Sequence, residues 1–376
     1  MSDEVAVSED VTGSDEPASP VTHPVAMQPR TAVLLAAVLA SVVLFAVMVL
    51  LPVPYAILAA GPATNTLGQE NGKPLIAING HATDSTTSKG TLDLTTVRIF
   101  GGPGSRVSVW QLLTAWLDGG QAVVPEEVIF PKGTTAAQSQ AENQQEMTSS
   151  QESATAAALS LLGYQVTSRV RIVSFLKGAA SASVLHEKDL VISVGGLASP
   201  LPSDLRAQLQ KVTPGQAASL VVRRDGKDLP LSVPTQKGAD GGTALGVLVQ
   251  QVFEFPFDVK IQIENVGGPS AGTMFALGII DKLTPGDLTG GKKIAGTGTI
   301  DPDGTVGPIG GIRQKLIGAR DAGAEFFLAP DQNCAEVAGH VPDGLSVVRI
   351  ATLTQARQAV EQIGQGRGTA GLPACG

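Results

Sequence analysis

The chain has 376 residues, 43% of them hydrophobic and only 16% charged, with a formal net charge of −8. That length allows two or three domains and a sizeable buried core. The acidic balance and the lack of a Lys/Arg cluster argue against a nucleic-acid partner, and the two cysteines, with no CxxC or Cys/His cluster, argue against a structural zinc site.

Residues 1–30 are acidic (Asp3, Glu4, Glu9, Asp10, Asp15, Glu16) and contain Ser, Thr and Pro, the composition of a disordered leader. Residues 31–52 follow as a membrane-span candidate. The run from Thr31 to Leu51 carries no charge, and 21 residues at about 1.5 Å each cover roughly 32 Å, enough for the hydrocarbon layer. A cleaved signal peptide, cut near Ala59-Ala60-Gly61, is the alternative. The long acidic leader and the length of the run favour an uncleaved anchor. Arg30 abuts the run, and no Lys or Arg follows until Lys73. The positive-inside rule therefore expects a single-pass plasma-membrane protein with a cytoplasmic N-terminus and an extracytoplasmic bulk. An oxidising exterior would permit a Cys334–Cys375 disulfide; two unrelated thiols is the other reading.

Residues 53–163 read as a juxtamembrane strand and helix region. Leu75–Asn79 and Thr91–Ile99 are strand candidates, and Gly101-Gly102-Pro103-Gly104 is a turn. Ser108–Leu117 is a short helix candidate in which Trp110, Leu113 and Leu117 recur at helical spacing and are expected in the core. Residues 136–162 lack Pro and Gly and read as helix ended by Gly163.

Residues 164–237 alternate short strands with turns. The segments KDLVISVGG (188–196) and RRDGKDLPLSV (223–233), taken in order, resemble a PDZ domain of the bacterial protease-associated kind. That resemblance implies capture of extended peptides on a sheet edge. Leu162-Gly163-Tyr164 has the form of a carboxylate-binding loop, but a helix C-cap explains Gly163 better.

Residues 240–365 alternate strands and helices as a mixed α/β (α+β) unit, with 366–376 as a tail. This unit holds Gly267-Gly268-Pro269-Ser270-Ala271-Gly272 and, further on, Pro308-Ile309-Gly310-Gly311-Ile312-Arg313-Gln314-Lys315. A serine at the mouth of one helix and a lysine on a second helix supply a nucleophile and its base without histidine. The lysine must be neutral to act as a base, so its pKa has to fall toward about 7–8. Burial among Ile309, Ile312 and Leu316 would do this, since Arg313 and Gln314 bring no negative charge.

These motifs, together with Thr297-Gly298-Thr299-Ile300, Gly304 through Val306, Ala319 and Gly323 through Pro330, resemble the proteolytic domain of the Lon proteases. With one anchor, a PDZ-like module and no ATPase, the chain looks like the membrane-anchored, ATP-independent Lon-like proteases of bacteria. The resemblance implies Ser270 as nucleophile, Lys315 as general base and Thr297 as the residue that orients the lysine. Backbone N–H groups at Gly268 and Ser270 would stabilise the oxyanion. Family members commonly carry an acidic residue where Gly267 stands. The implied activity is endopeptidase cleavage of unfolded or envelope polypeptides, without cofactor, metal or ATP. Ring-like or other homo-oligomers are part of the family pattern. Two rivals stand beside this reading. GxSxG also fits an α/β-hydrolase elbow, with Asp321 or Asp331 and His340 completing a triad. The chain would otherwise be a non-catalytic PDZ-containing scaffold of the envelope.

Overall fold

The computed structural model describes residues 29–83, 88–238, 241–264 and 266–375. The expected disordered leader therefore lies, up to residue 28, outside the described residues. The chain divides into two units at Leu51/Pro52. The first holds helix α1 (Pro29–Leu50), 22 residues without an acidic side chain and with none buried. It is the one helix among the described residues that is long and apolar enough to cross a membrane.

The second unit begins with β1 (Pro52–Val53), β2 (Tyr55–Asn65), β3 (Ile76–Asn79) and β4 (Thr91–Phe100). It continues through β5 (Val107–Ser108), helix α2 (Val109–Leu117), β6 (Ala122–Pro125) and helix α3 (Ala136–Leu161). Local chemistry sets the helix ends. Thr135 caps the start of α3, its side chain accepting from the Gln138 N–H while Gln138 reaches back. At the other end Gly163 takes φ +83°. The Gly163 and Tyr164 N–H groups donate to the carbonyls of Ser160 and Leu159, each at 3.0 Å. This is a Schellman end, so Leu162-Gly163-Tyr164 is occupied as a helix terminus.

Next comes an all-antiparallel sheet: β7 (Thr167–Phe175), β8 (Leu190–Val194), β9 (Ala217–Arg224), β10 (Lys227–Pro234) and β11 (Val247–Glu254), with helix α4 (Pro202–Leu209) beside it. The strand order is β10-β9-β8-β7-β11. The β9–β10 hairpin turns on Asp225-Gly226 with φ +50° and +77°, the left-handed pair that a two-residue hairpin needs. Val170, Ile172, Val191, Leu220 and Val222 form this sheet's own core.

The chain continues, with shorter strands and turns between, through β12 (Asp258–Ile261), helix α5 (Gly272–Leu283), β13 (Lys293–Gly296), helix α6 (Ile312–Asp321), β14 (Phe326–Pro330), β15 (Ser346–Ile350) and helix α7 (Leu353–Gly364). They do not form a sheet alone. The order is β15-β14-β13-β4-β2-β6. β15, β14, β13 and β4 run parallel, while β2 and β6 close the edge antiparallel. The strands of 53–163 and of 240–365 thus share one sheet, and the antiparallel subdomain is inserted between its halves. β11, expected in the C-terminal unit, pairs instead with β7 along eight residues, Thr167↔Glu254 to Phe175↔Val247.

Both faces of the mixed sheet are covered, and alternate residues divide between two cores. Ile294, Leu328 and Val348 face the cluster built by α3, α5 and α7. Ala295, Phe327 and Ala329 face the cluster that contains Ile312, Leu316 and Ala319 of α6. α5 and α6 therefore lie on opposite faces.

One expected core group is not in a core. Trp110, Leu113 and Leu117 are exposed, as is Trp116. Helical spacing marks a stripe but not which stripe faces inward. Here Leu112 and Ala115 pack on Ile57 and Val107 instead.

Candidate active site

The parallel pairing of β4 with β13 ends at Leu94↔Gly296. The following residues, Thr95 midway along β4 and Thr297 just past the end of β13, lie where the parallel ladder stops, the side on which open α/β sheets carry their ligand crevices. Helices from the two faces meet there. α5 begins just after Ser270, and α6 brings Lys315 one turn after its start. Gly311 opens α6 at φ +70°, a conformation that favours glycine, and a Cβ there would come within 2.8 Å of the Val97 side chain.

Lys315 Nζ lies 2.8 Å from Ser270 Oγ, 2.9 Å from Thr297 Oγ1 and 3.0 Å from the Thr95 carbonyl oxygen. The Thr297 hydroxyl donates to the Ser270 carbonyl at 2.9 Å, and the Gly298 N–H donates to the same oxygen at 2.8 Å. Lys315 is only 2% exposed and Thr297 fully buried. Every polar partner of the amine is neutral. Burial pushes the lysine down from its ordinary 10.5 to about 7.

Proton bookkeeping follows from this geometry. A neutral amine has two N–H donors and one lone pair. Thr95 and Thr297 take the two donors, which leaves the lone pair for the Ser270 hydroxyl. The arrangement can therefore abstract a proton from the serine, and the ammonium so formed keeps three oxygens around it.

Ser270, Lys315 and Thr297 are brought together. Gly268 is placed differently from its expected role. Its N–H donates to the Asn143 carbonyl at 3.1 Å and is not available to an oxyanion. Asn143 is on α3, which passes so close that a Cβ at Gly267 would stand 2.9 Å from the Asn143 Cβ. That contact explains a glycine where an acidic side chain is common. Glu264 is exposed and receives a hydrogen bond from Asn71. Cys334 and Cys375 are disulfide-bonded. His340 is exposed, with Nδ1 3.0 Å from the Ala338 carbonyl oxygen. It does not join Ser270, whose side chain meets Lys315, so the Ser-His-Asp arrangement is not built.

Three contributors were missed by sequence reasoning: the Thr95 carbonyl, the Asn143 carbonyl, and Ser150, whose hydroxyl donates to the Pro269 carbonyl at 2.9 Å. All belong to residues 53–163. A cavity of about 570 Å³ opens beside Ser270 and Lys315, lined by Leu94, Val97, Met147, Val266 and Ala271 among others.

A buried lysine, lowered to about 7 and 2.8 Å from a serine hydroxyl at a helix mouth, is an arrangement suited to serine-peptidase chemistry. Residues 263–362 match the Lon protease (S16) C-terminal proteolytic domain. The chain is 33% identical over 91 residues to the Lon protease of Lachnoclostridium phytofermentans, covering 23% of this chain and 11% of that protein. It is 37% identical over 100 residues to Lon protease 2 of Herpetosiphon aurantiacus, covering 25% and 12%. The chain thus spans about a tenth of the length of the curated relatives it matches. Solved structures similar to part of it include the PDZ domain of an SdrC-like protein from Listeria monocytogenes, at 17% identity and TM-score 0.20, covering 21% of this chain and 85% of that one. The corresponding PDZ domain from Listeria innocua has 17% identity and TM-score 0.21, covering 22% and 93%.

Proposed function

We propose that this chain is a membrane-anchored endopeptidase that cleaves polypeptides through a Ser270–Lys315 dyad. The observation that carries the reading is the 2.8 Å approach of a buried, neutral-range lysine to the serine hydroxyl. Lys315 takes the hydroxyl proton as Ser270 Oγ attacks the scissile carbonyl. The ammonium then gives that proton to the departing amine, and the acyl-enzyme is opened by a water that Lys315 deprotonates in turn. Thr297 and the Thr95 carbonyl hold the amine through each protonation change.

The oxyanion donors are the Ser270 and Ala271 N–H groups, which have no acceptor among the described residues. They sit at the start of α5, where backbone N–H groups are left over and the helix dipole favours negative charge.

Polypeptide is the substrate that fits the surroundings. Past Thr95, β4 has no strand on its β13 side among the described residues, so Thr96–Phe100 offers backbone groups to an extended chain. The cavity beside the dyad, lined by Leu94, Val97 and Met147 as well as Thr96 and Arg98, accepts a substrate side chain next to the cleaved bond. A wider cleft of about 870 Å³ continues from Gly267 along α3 to Phe130. Without a phosphate loop, the chain relies on substrates that are already unfolded or flexible.

The antiparallel subdomain 167–254 is the PDZ-like module, and it recruits or regulates by strand addition. α1 is retained as an anchor. Ala59-Ala60-Gly61 lies inside β2, where Ala59 and Ala60 pair with Arg98 and Val97 of β4, and a cut there would remove the half of the strand that also pairs with β6. The Arg30 flank supports a reading in which the protease lies outside the plasma membrane.

The test is purified full chain in detergent, incubated with an unfolded protein, beside Ser270→Ala and Lys315→Met. Cleavage by the parent and by neither variant supports the reading. Equal cleavage by Lys315→Met, or no labelling of Ser270 by a serine-reactive probe, sinks it.

A further inference from the structure

We infer that α2 is an interfacial helix whose outer face lies in the lipid headgroup layer on the protease side of the membrane. This rests on the anchor reading of α1. α2 reads VWQLLTAWL, with Gln111 and Thr114 its only polar residues. A helix apolar on nearly all sides belongs in a buried setting. Yet among the described residues only Leu112 and Ala115 of α2 meet a core. Trp110, Leu113, Trp116 and Leu117 are 55%, 47%, 78% and 79% exposed. Positions 110, 113 and 117 form one stripe, and 116 lies beside it.

The place where the chain enters the second unit decides the occupant. Pro52 pairs with Ser108, and Ser108 is the residue whose side chain caps α2. Pro52 is two residues beyond Leu50, the end of α1. Two residues reach at most about 7 Å, and a paired strand adds about 5 Å. If α1 spans the bilayer, the first turn of α2 is tethered within that distance of the point where the chain leaves the hydrocarbon. Interfacial helices bury their apolar face about 5–10 Å into the headgroup boundary. Tryptophan is the residue that favours that layer. The nearest apolar phase for α2 is thus the bilayer that holds α1.

The sequence supplies its own probe, because its two tryptophans are Trp110 and Trp116. The experiment uses the full chain in phosphatidylcholine/phosphatidylglycerol vesicles. Emission is read with acrylamide in the water and with lipids brominated near the headgroup end of the acyl chain. Alkaline carbonate extraction is run on the same vesicles. The expected result is blue-shifted emission, shielded from acrylamide, most of it lost to the brominated lipid. The Leu113→Glu/Leu117→Glu double variant should become accessible to acrylamide while the chain stays carbonate-resistant. Carbonate-resistant protein with acrylamide-accessible tryptophans overturns this inference and leaves the anchor standing. Tryptophans shielded from acrylamide yet untouched by brominated lipid also overturn it, in favour of a second copy or another protein on α2. Release of the chain by carbonate overturns the anchor reading and this one with it.

Discussion

Lys315 and Thr95 are 220 residues apart in sequence, yet the lysine amine donates to the Thr95 carbonyl at 3.0 Å. The base of the proposed dyad is therefore seated on a strand contributed by the other half of the sheet. Its chemistry depends on pairing across the inserted antiparallel subdomain. A lysine held only by its own helix would stay solvated and charged.

Activity should follow the neutral fraction of Lys315. With the group at about 7, kcat/KM on an unfolded protein should rise about tenfold per pH unit below neutrality and level off above it. A flat profile from pH 5 to 9, with the protein folded throughout, would remove Lys315 as the base.

The same burial has a cost in stability, and its sign is fixed. Lys315 titrates at about 7 in the folded chain against an ordinary 10.5. Between those values the unfolded chain binds more protons, so stability rises with pH across that window. The penalty is fully present below about 7 and fades toward 10.5. Its size is on the order of 4–5 kcal/mol. Lys315→Met should be inactive and yet more stable than the parent at pH 6, with the pH slope gone. Denaturant melts of both proteins at pH 6 and pH 9 measure this. Parallel slopes in the two would contradict it.

Thr297 acts through Lys315 and the Ser270 carbonyl, so its variants should separate by hydroxyl. Thr297→Ser keeps both hydrogen bonds and most of the activity. Thr297→Val loses them, and kcat should fall roughly 10- to 100-fold with little change in KM. Equal activity of the Ser and Val variants would show that the hydroxyl has no positioning role.

The sequence made Ser270, Lys315 and Thr297 readable because each sits in a local signature: a Gly-Pro turn, a Gly-Gly helix start, a strand end. Thr95, Asn143 and Ser150 carry no such mark. Thr95 and Asn143 act through backbone carbonyls and Ser150 through a hydroxyl on α3, and their neighbours are set by strand order and α3 packing rather than by spacing. The 53–163 segment looked separate because 167–254 intervenes with a core of its own. Gly268 illustrates the same limit. Its place in the motif suggested a free N–H, but the passage of α3 supplies Asn143 as its acceptor. The α2 stripe showed its period in sequence and hid its direction.

The disulfide ties the tail to the α6 face of the sheet. Cys375 is buried in the cluster that holds Ile312 and Leu316, and the Arg349 N–H donates to the Pro373 carbonyl at 2.8 Å. The bridge closes a separation of 41 residues. Loop-closure entropy of that length corresponds to a loss on the order of 4 kcal/mol on opening. Cys375→Ser should lower the thermal midpoint by several degrees while the Ser270 site still reacts with a serine-directed probe at permissive temperature. An unchanged midpoint would mean the tail contributes nothing to holding α6.

Strand β2 makes the fate of the N-terminus testable. Ala56 and Ile57 are buried, and Ile57 to Ala60 pair with Val97 to Phe100 on one side while Tyr55 to Leu58 pair with β6 on the other. A chain starting at residue 52 keeps all of these contacts. A chain starting at residue 62 loses them, leaving β4 and β6 with open edges and the α2 layer without its floor. The first should fold and resist limited proteolysis. The second should aggregate or be degraded, because an unpaired central strand exposes both backbone donors and apolar surface. Mass spectrometry of the full chain from its native membrane should accordingly find the N-terminal segment still attached. A folded, active protein beginning near Gly61 would mean that the apolar run is a removable signal and that the sheet closes without half of β2.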